Sequence, residues 1–135
     1  MEINGIAHIF LTAANFGRAR EFYSKLLPFL GLKPVIDSDQ VYYCVGGRTA
    51  VAIRAPSPEN AGAAFDQNRI GLHHLCFRAR ERADVDELHT FLASIGRKSS
   101  ARRARINGRP ATIRCSSKTL MASGWRSTMC RARGS

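Results

Sequence analysis

A chain of 135 residues is long enough for one domain with a real buried core, and no apolar run in it approaches the roughly 20 residues that span a bilayer. The formal net charge of +11 would suggest nucleic acid or a membrane surface as partner, but residues 1–96 hold all ten Asp and Glu with ten of the Lys and Arg and sum to zero. Residues 97–135 hold the other eleven basic residues and no acid, so the two stretches are read separately.

Ile3–Ala13 (I-N-G-I-A-H-I-F-L-T-A) is rich in β-branched and apolar residues and predicts a strand. Asn15 is placed to cap a helix in which Phe16, Ala19, Phe22, Tyr23, Leu26, Leu27 and Leu30 recur at helical spacing, opposite Arg18, Arg20, Glu21 and Lys25. Pro28 and Gly31 end it. Three extended segments follow, Leu32–Asp37, Val41–Val45 and Thr49–Ala55, separated by the turn-forming D-S-D-Q and Gly46-Gly47. The order is β-α-β-β-β. After a polar connection, Pro56–Gly71, the pattern restarts with a strand at Leu72–Arg78 (L-H-H-L-C-F-R). A helix follows, capped at Asp84 or just before it, with Val85, Leu88, Phe91, Leu92 and Ile95 on its apolar side and Gly96 as its C-terminal stop. A second β-α unit about 65 residues after the first is a coarse internal repeat.

Met1-Glu-Ile-Asn-Gly has neither the basic nor the apolar region of a secretory signal. Cys44, Cys76, Cys115 and Cys130 form no C-x-x-C pair, and Cys44 and Cys76 lie in apolar runs that suit buried thiols. The expected setting is the cytoplasm, without a membrane.

The segments G-I-A-H-I-F-L at 5–11, R-A-R-E-F-Y-S-K-L-L-P-F-L-G-L at 18–32 and G-L-H-H-L-C-F at 71–77, in this order and spacing, resemble the vicinal-oxygen-chelate superfamily of glyoxalases, bleomycin resistance proteins and extradiol dioxygenases. The resemblance covers about 70% of the chain and implies an α+β fold of paired βαβββ modules around a cleft. The domain reading is a superfamily domain over 1–96, with the first module at 1–55 and the start of the second at 71–96, followed by a basic tail at 97–135 outside the family pattern. Family enzymes place a metal ligand on the first strand of each module, and those positions fall on His8 and His74. Strand alternation sets His8 beside Ile6 and Phe10, and His74 beside Leu72 and Cys76, leaving Ile9, Leu11, Leu75 and Phe77 to pack on the helices. Two imidazoles suit Zn, Ni, Fe, Mn or Co and do not choose among them. His73 points to the opposite face as a structural residue, and His89 sits among polar neighbours on the second helix.

The implied function is that of a metal-dependent lyase, isomerase or dioxygenase that chelates a small oxygenated metabolite through two oxygens, in a homodimer. Two other readings stand beside it: a metal-free ligand-sequestering protein of the bleomycin-resistance type, and a nucleic-acid-binding extension in the basic run Arg97–Arg105, which lacks interleaved aromatics. Ala52, Ile53 and Arg54 stand where glyoxalase I relatives carry a ligating Glu, so a site with two carboxylates is disfavoured. Tyr43 and Arg54, with Tyr42, are candidates to hold an anionic or aromatic substrate; core packing for the tyrosines and a plain surface charge for Arg54 are the alternatives.

Symmetry calls for three more strands after Gly96, and the tail does not supply the pattern. It has no Val, Phe or Tyr, and neither the strand nor the helix period fits for more than a few residues. Its isolated Ile106, Ile113, Leu120 and Trp125 bury too little to offset about 1–2 kcal/mol of backbone entropy per ordered residue, so a poorly ordered tail is expected. Shifted codons explain it better. When each codon's third base is grouped with the next codon's first two, Met121-Ala122 forces Gly and Met129-Cys130 forces Val. Among the permitted codons, 111–128 reads Y-Y-S-V-L-F-E-D-P-D-G-I-R-L-E-V-N, 96–100 gives A-K-I-V, and the end gives V-P-G-K-G. F-E-D-P-D-G followed by L-E-V looks like the final hairpin of the superfamily. The expectation is a frameshift near the codons for Gly96 and Arg97 that removes a carboxylate ligand, with the Glu read across Trp125 and Arg126, and leaves the chain impaired.

Overall fold

In the computed structural model, the residues described are 1–3, 5–66, 68–71 and 74–96, with two short backbone segments at 112–116 and 127–128. The chain divides into two units, Met1–Phe65 and Asp66–Ser135, each taken by itself.

The first unit follows the predicted order: β1 (His8–Thr12), α1 (Phe16–Phe29), β2 (Lys33–Asp37), β3 (Val41–Gly46) and β4 (Thr49–Arg54), then a 3-10 turn at Pro58–Asn60. Asn15 caps α1, its side-chain oxygen accepting from the Arg18 N–H at 3.0 Å. The helix buries Phe22, Tyr23, Leu26 and Leu27 in one stripe. Pro28 is accommodated in the last turn, and Gly31 at φ +83° closes the end. There the Gly31 N–H bonds to the Pro28 carbonyl at 2.9 Å and the Leu32 N–H to the Leu27 carbonyl at 2.9 Å, with Leu32 buried. This Schellman arrangement needs a residue tolerant of positive φ at position 31.

The four strands form one sheet in the order β1-β4-β3-β2, with β1 parallel to β4 and the other pairs antiparallel. Helix α1 lies across β2, β3 and β4. Leu11, Ile53 and Tyr42 stand in register, as do Ile9, Val51 and Cys44, and these rows carry the buried residues Leu11, Tyr42, Cys44, Val51 and Ile53. That face is the core. Strand β2 is an edge, which tolerates Pro34, and a bulge at Val35 shifts its register against β3.

The predicted strand over Ile3–Ala13 is shorter than expected. Gly5 at φ +113° breaks the extended run, and Ile3 and Ile6 are exposed ahead of the strand's start at His8.

The second unit contains β5 (His74–Arg78), α2 (Arg82–Ser94), β6 (Thr112–Ser116) and β7 (Ser127–Thr128). Glu81 caps α2 and Asp84 closes a capping box, its carboxylate accepting from the Glu81 N–H at 2.9 Å and the Arg80 N–H at 3.0 Å. Val85, Leu88 and Leu92 are buried, and Gly96 at φ +72° ends the helix.

Residues 97–135, expected not to supply the three strands that would complete a second module, contribute two short strands, β6 and β7. A strand edge needs backbone partners, which an extended segment supplies whatever its side-chain pattern. T-I-R-C-S meets that need with two β-branched residues. The pairing nevertheless does not repeat the first module. The strand beside β1 is parallel to it, whereas β6 runs antiparallel to β5 and β7 antiparallel to β6. The rest of the expected poorly ordered tail, and His73, lie outside the described residues.

Candidate functional site

The face of the first sheet turned away from α1 carries the candidate residues. Strand alternation and register arrange it in three rows. His8, Ala50, Val45 and Lys33 form one row, Phe10, Ala52, Tyr43 and Ile36 the next, and Thr12, Arg54 and Val41 the third. Phe10 and Tyr43 flank Ala52 with ring centroids 5.9 Å apart and planes inclined by 20°, an offset stack. His8 meets Phe10 edge-on at 5.7 Å. The rings reach each other across β4 because Ala52 presents only a methyl, and they cover it completely, at 0% exposure. Phe10 itself is 52% exposed, with Ile36 and Val45 also open. An apolar aromatic surface is therefore left bare at the centre of the sheet.

Its charge has one sign. Lys33 is exposed on the edge strand β2 and Arg54 at the far end of the interior strand β4, and no Asp or Glu stands in any of the three rows. Asp37 shares the other face, where the Arg20 guanidinium of α1 bonds to it at 2.6 Å and holds its carboxyl below the ordinary range through that hydrogen bond. Arg54 has no acidic partner among the described residues.

The candidates separate accordingly. Tyr43 and Arg54 share the open face, and Arg54 is exposed. Tyr42 is on the core face at 3% exposure, so it does not line this surface. Burial, then its contact with Cys44, pushes its hydroxyl pKa up, and burial raises the Cys44 thiol as well. His89 is exposed on α2, as its polar neighbours predict. Sequence reasoning did not single out Phe10 as more than a neighbour of His8; the signal was its parity with His8 and its pairing with Ala52.

His8 and His74 occupy equivalent places in the two β-α units. Each opens a five-residue strand, H-I-F-L-T and H-L-C-F-R. The following helix begins eight residues later in both, at Phe16 (16 − 8 = 8) and at Arg82 (82 − 74 = 8). The His74 side chain lies outside the described residues. Among the described residues, no three His, Cys, Asp or Glu side chains gather as a metal-binding group. Ala52, Ile53 and Arg54 bring no carboxylate, and no Asp or Glu stands in the rows that share a face with His8.

Comparison with known proteins agrees with this fold. The family model for the Glyoxalase/Bleomycin resistance protein/Dioxygenase superfamily matches residues 5–112. Among solved structures, the chain is similar to a protein from Bacillus halodurans classed as a glyoxalase, with TM-score 0.69 and 20% identity over 93% of this chain and 95% of that one. It is also similar to a lactoylglutathione lyase from Agrobacterium tumefaciens, with TM-score 0.62 and 20% identity over 96% and 95%. A glyoxalase/bleomycin resistance protein from Albidiferax ferrireducens gives TM-score 0.55 and 16% identity over 93% and 98%. No curated protein matches the chain. At these identities the structural likeness speaks to fold alone. Among the described residues, no helix is long and apolar enough to cross a membrane.

Proposed function

The chain belongs to the Glyoxalase/Bleomycin resistance protein/Dioxygenase superfamily, and from that premise we propose that its gene descends from one for a cytoplasmic, homodimeric, metal-dependent lyase, isomerase or dioxygenase acting on a small oxygenated metabolite. His8 and His74 are two of its metal ligands. The observation that carries this is their equivalence: two imidazoles, each at the first position of a strand that leads after the same interval into a helix.

In this chain the donor set does not suffice for a divalent metal. Two neutral imidazoles leave the ion's charge uncompensated. The open face of the first sheet has no carboxylate, and residues 97–135 contain none at all. What the chain retains is the aromatic, basic surface of the first module. That favours ligand binding without turnover as the activity of this chain, as a sequestering protein would show.

The missing carboxylate is accounted for by a shift of reading frame near the codons for Gly96 and Arg97. The regrouped reading extends upstream of the run that starts at Ala111. Asn107-Gly108 permits only Trp or Arg, and the codons for 107–111 allow W-A-P-G directly before Y-Y-S-V-L-F. The antiparallel neighbour of β5, where the first module has a parallel one, supports the same reading.

The test compares this chain with a version carrying one restored base. Metal content by elemental analysis is expected near one ion per chain in the restored protein, lost on His8→Ala or His74→Ala, and negligible in the chain as it stands. An undisturbed frame in the gene, or stoichiometric metal in the present chain, refutes the reading.

A further inference from the structure

We propose that the open face of the first sheet binds a small planar anion, an aromatic or conjugated carboxylate, with its ring on the Phe10–Tyr43 pair and its carboxylate on Arg54. The proposal rests on the reading that the first module retains a ligand-binding surface, and it names the class of ligand. Three features of the sheet carry it together.

The first is shape. Ala50 and Ala52 are almost fully covered, at 2% and 0% exposure, although they lie on the face away from the helix. Small side chains on the central strand make a shallow floor, and Phe10 and Tyr43 lean over it from the strands on either side. At 5.9 Å between centroids the two rings leave no slot for a third ring between them. A ligand therefore lies against the outer face of the stack, where Phe10 is 52% exposed. Offset packing of a flat π-system on such a platform is the favoured contact.

The second is charge. Arg54 stands on the central strand in the row next to Phe10 and Tyr43, about 6.5–7 Å along the strand from Ala52. A ring resting on the aromatic pair brings a substituent carboxylate within reach of the guanidinium. The fork of N–H donors matches a carboxylate in two parallel hydrogen bonds. With no acid on this face and Lys33 at its far corner, the field repels cations and attracts anions across the whole surface.

The third is availability. The acidic residue nearest in the sheet, Asp37, is turned to the helix face and engaged by Arg20. Arg54 thus has no acidic partner among the described residues and is free to take a ligand's charge.

The experiment uses the full chain as it exists and three probes: 2-naphthoate, the uncharged 2-naphthalenemethanol, and cyclohexanecarboxylate, which keeps the charge without the aromatic plane. Calorimetric or fluorescence titration is expected to rank naphthoate first, about tenfold above the other two. Arg54→Met lowers naphthoate affinity about tenfold and leaves the alcohol unaffected. Phe10→Ala lowers both aromatic probes severalfold and leaves cyclohexanecarboxylate unaffected. Arg54→Lys retains part of the preference for the anion, which separates a lost charge from a disturbed sheet. Lys25→Met, on the solvent side of α1, changes none of these. Far-ultraviolet dichroism checks that each variant is folded. Alcohol binding as tight as naphthoate, with Arg54→Met silent, would reduce the surface to an apolar patch and overturn the proposal. So would the absence of naphthoate binding at millimolar concentration. Neither outcome depends on metal, so the frame and metal reading stands or falls separately.

Discussion

Replacing Gly46 with Ala tests the packing that holds the ligand face in place. Gly46 ends β3, and a methyl built there would lie 2.7 Å from the Gly31 carbonyl oxygen and 2.8 Å from the Leu32 Cα. Both obstructing atoms are backbone, and both belong to the Schellman turn that closes α1, so no side chain can rotate away. Relief requires the β3–β4 hairpin to lift from the helix end or the turn to loosen. Overpacking of this kind costs about 1–3 kcal/mol, against which Ala regains about 0.4–1 kcal/mol by restricting the unfolded chain. A net loss of about 1–2 kcal/mol follows. With a urea slope of about 1–2 kcal/mol per molar for a small domain, the midpoint should fall by about 1 M. Gly47→Ala is the companion variant. Its Cβ meets open space, and its cost comes from φ +58° alone, about 1 kcal/mol. Because β3 carries Tyr43, Gly46→Ala should also weaken naphthoate binding, whereas Gly47→Ala should leave it near wild type. A neutral or stabilising Gly46→Ala would refute the close approach of β3 to the helix turn.

Leu27→Ala removes one of the most deeply buried side chains of α1 and should cost about 2–5 kcal/mol in denaturant unfolding. Asn15→Ala, which deletes the cap on Arg18, should cost about 1 kcal/mol in the same assay. The Cys44 thiol is fully buried and its pKa is raised by that burial, so a disulfide reagent should modify it far more slowly in the folded protein than in urea. Asp37 has a depressed folded pKa from its bond to Arg20. Its contribution to stability is therefore present above the ordinary aspartate pKa and lost as pH falls through the depressed value. Carbon-detected titration should show the Asp37 carboxyl returning upward in Arg20→Met.

How far the fold was legible depended on whether a signal was local. The stripe Phe22, Tyr23, Leu26, Leu27, the cap at Asn15 and the stop at Gly31 each sit within one or two turns of what they control, and α1 forms where they place it. The first strand was drawn too long because Ile3 and Ile6 carry β propensity. The positive φ of Gly5 overrides them, and composition cannot report a dihedral angle. Tyr42 and Tyr43 are indistinguishable by type, and only the parity of β3, fixed by pairing with Ile53 and Ala52, sends one into the core and the other to the open face. The short strands β6 and β7 went unseen for the opposite reason. Their sequences hold no period, and backbone pairing joins β6 to β5 and β7 to β6.

The two units would respond differently to the proposed loss of frame. The first closes its own core: α1 covers β2, β3 and β4, and Leu11, Leu27, Val51 and Ile53 are all supplied before Phe65. The second unit has a well-capped α2 with Val85, Leu88 and Leu92 buried, and its described strands are β5, β6 and β7. The proposed metal site would need more than the single imidazole, His8, that the first sheet carries. Stacking and a single guanidinium need only one sheet. Under the proposed shift of frame after Gly96, turnover would be lost while the aromatic and basic face of the first sheet would stay intact. Naphthoate binding in the chain as it stands, with stoichiometric metal only in a frame-restored version, would distinguish the proposed history from general misfolding, in which both would be lost together.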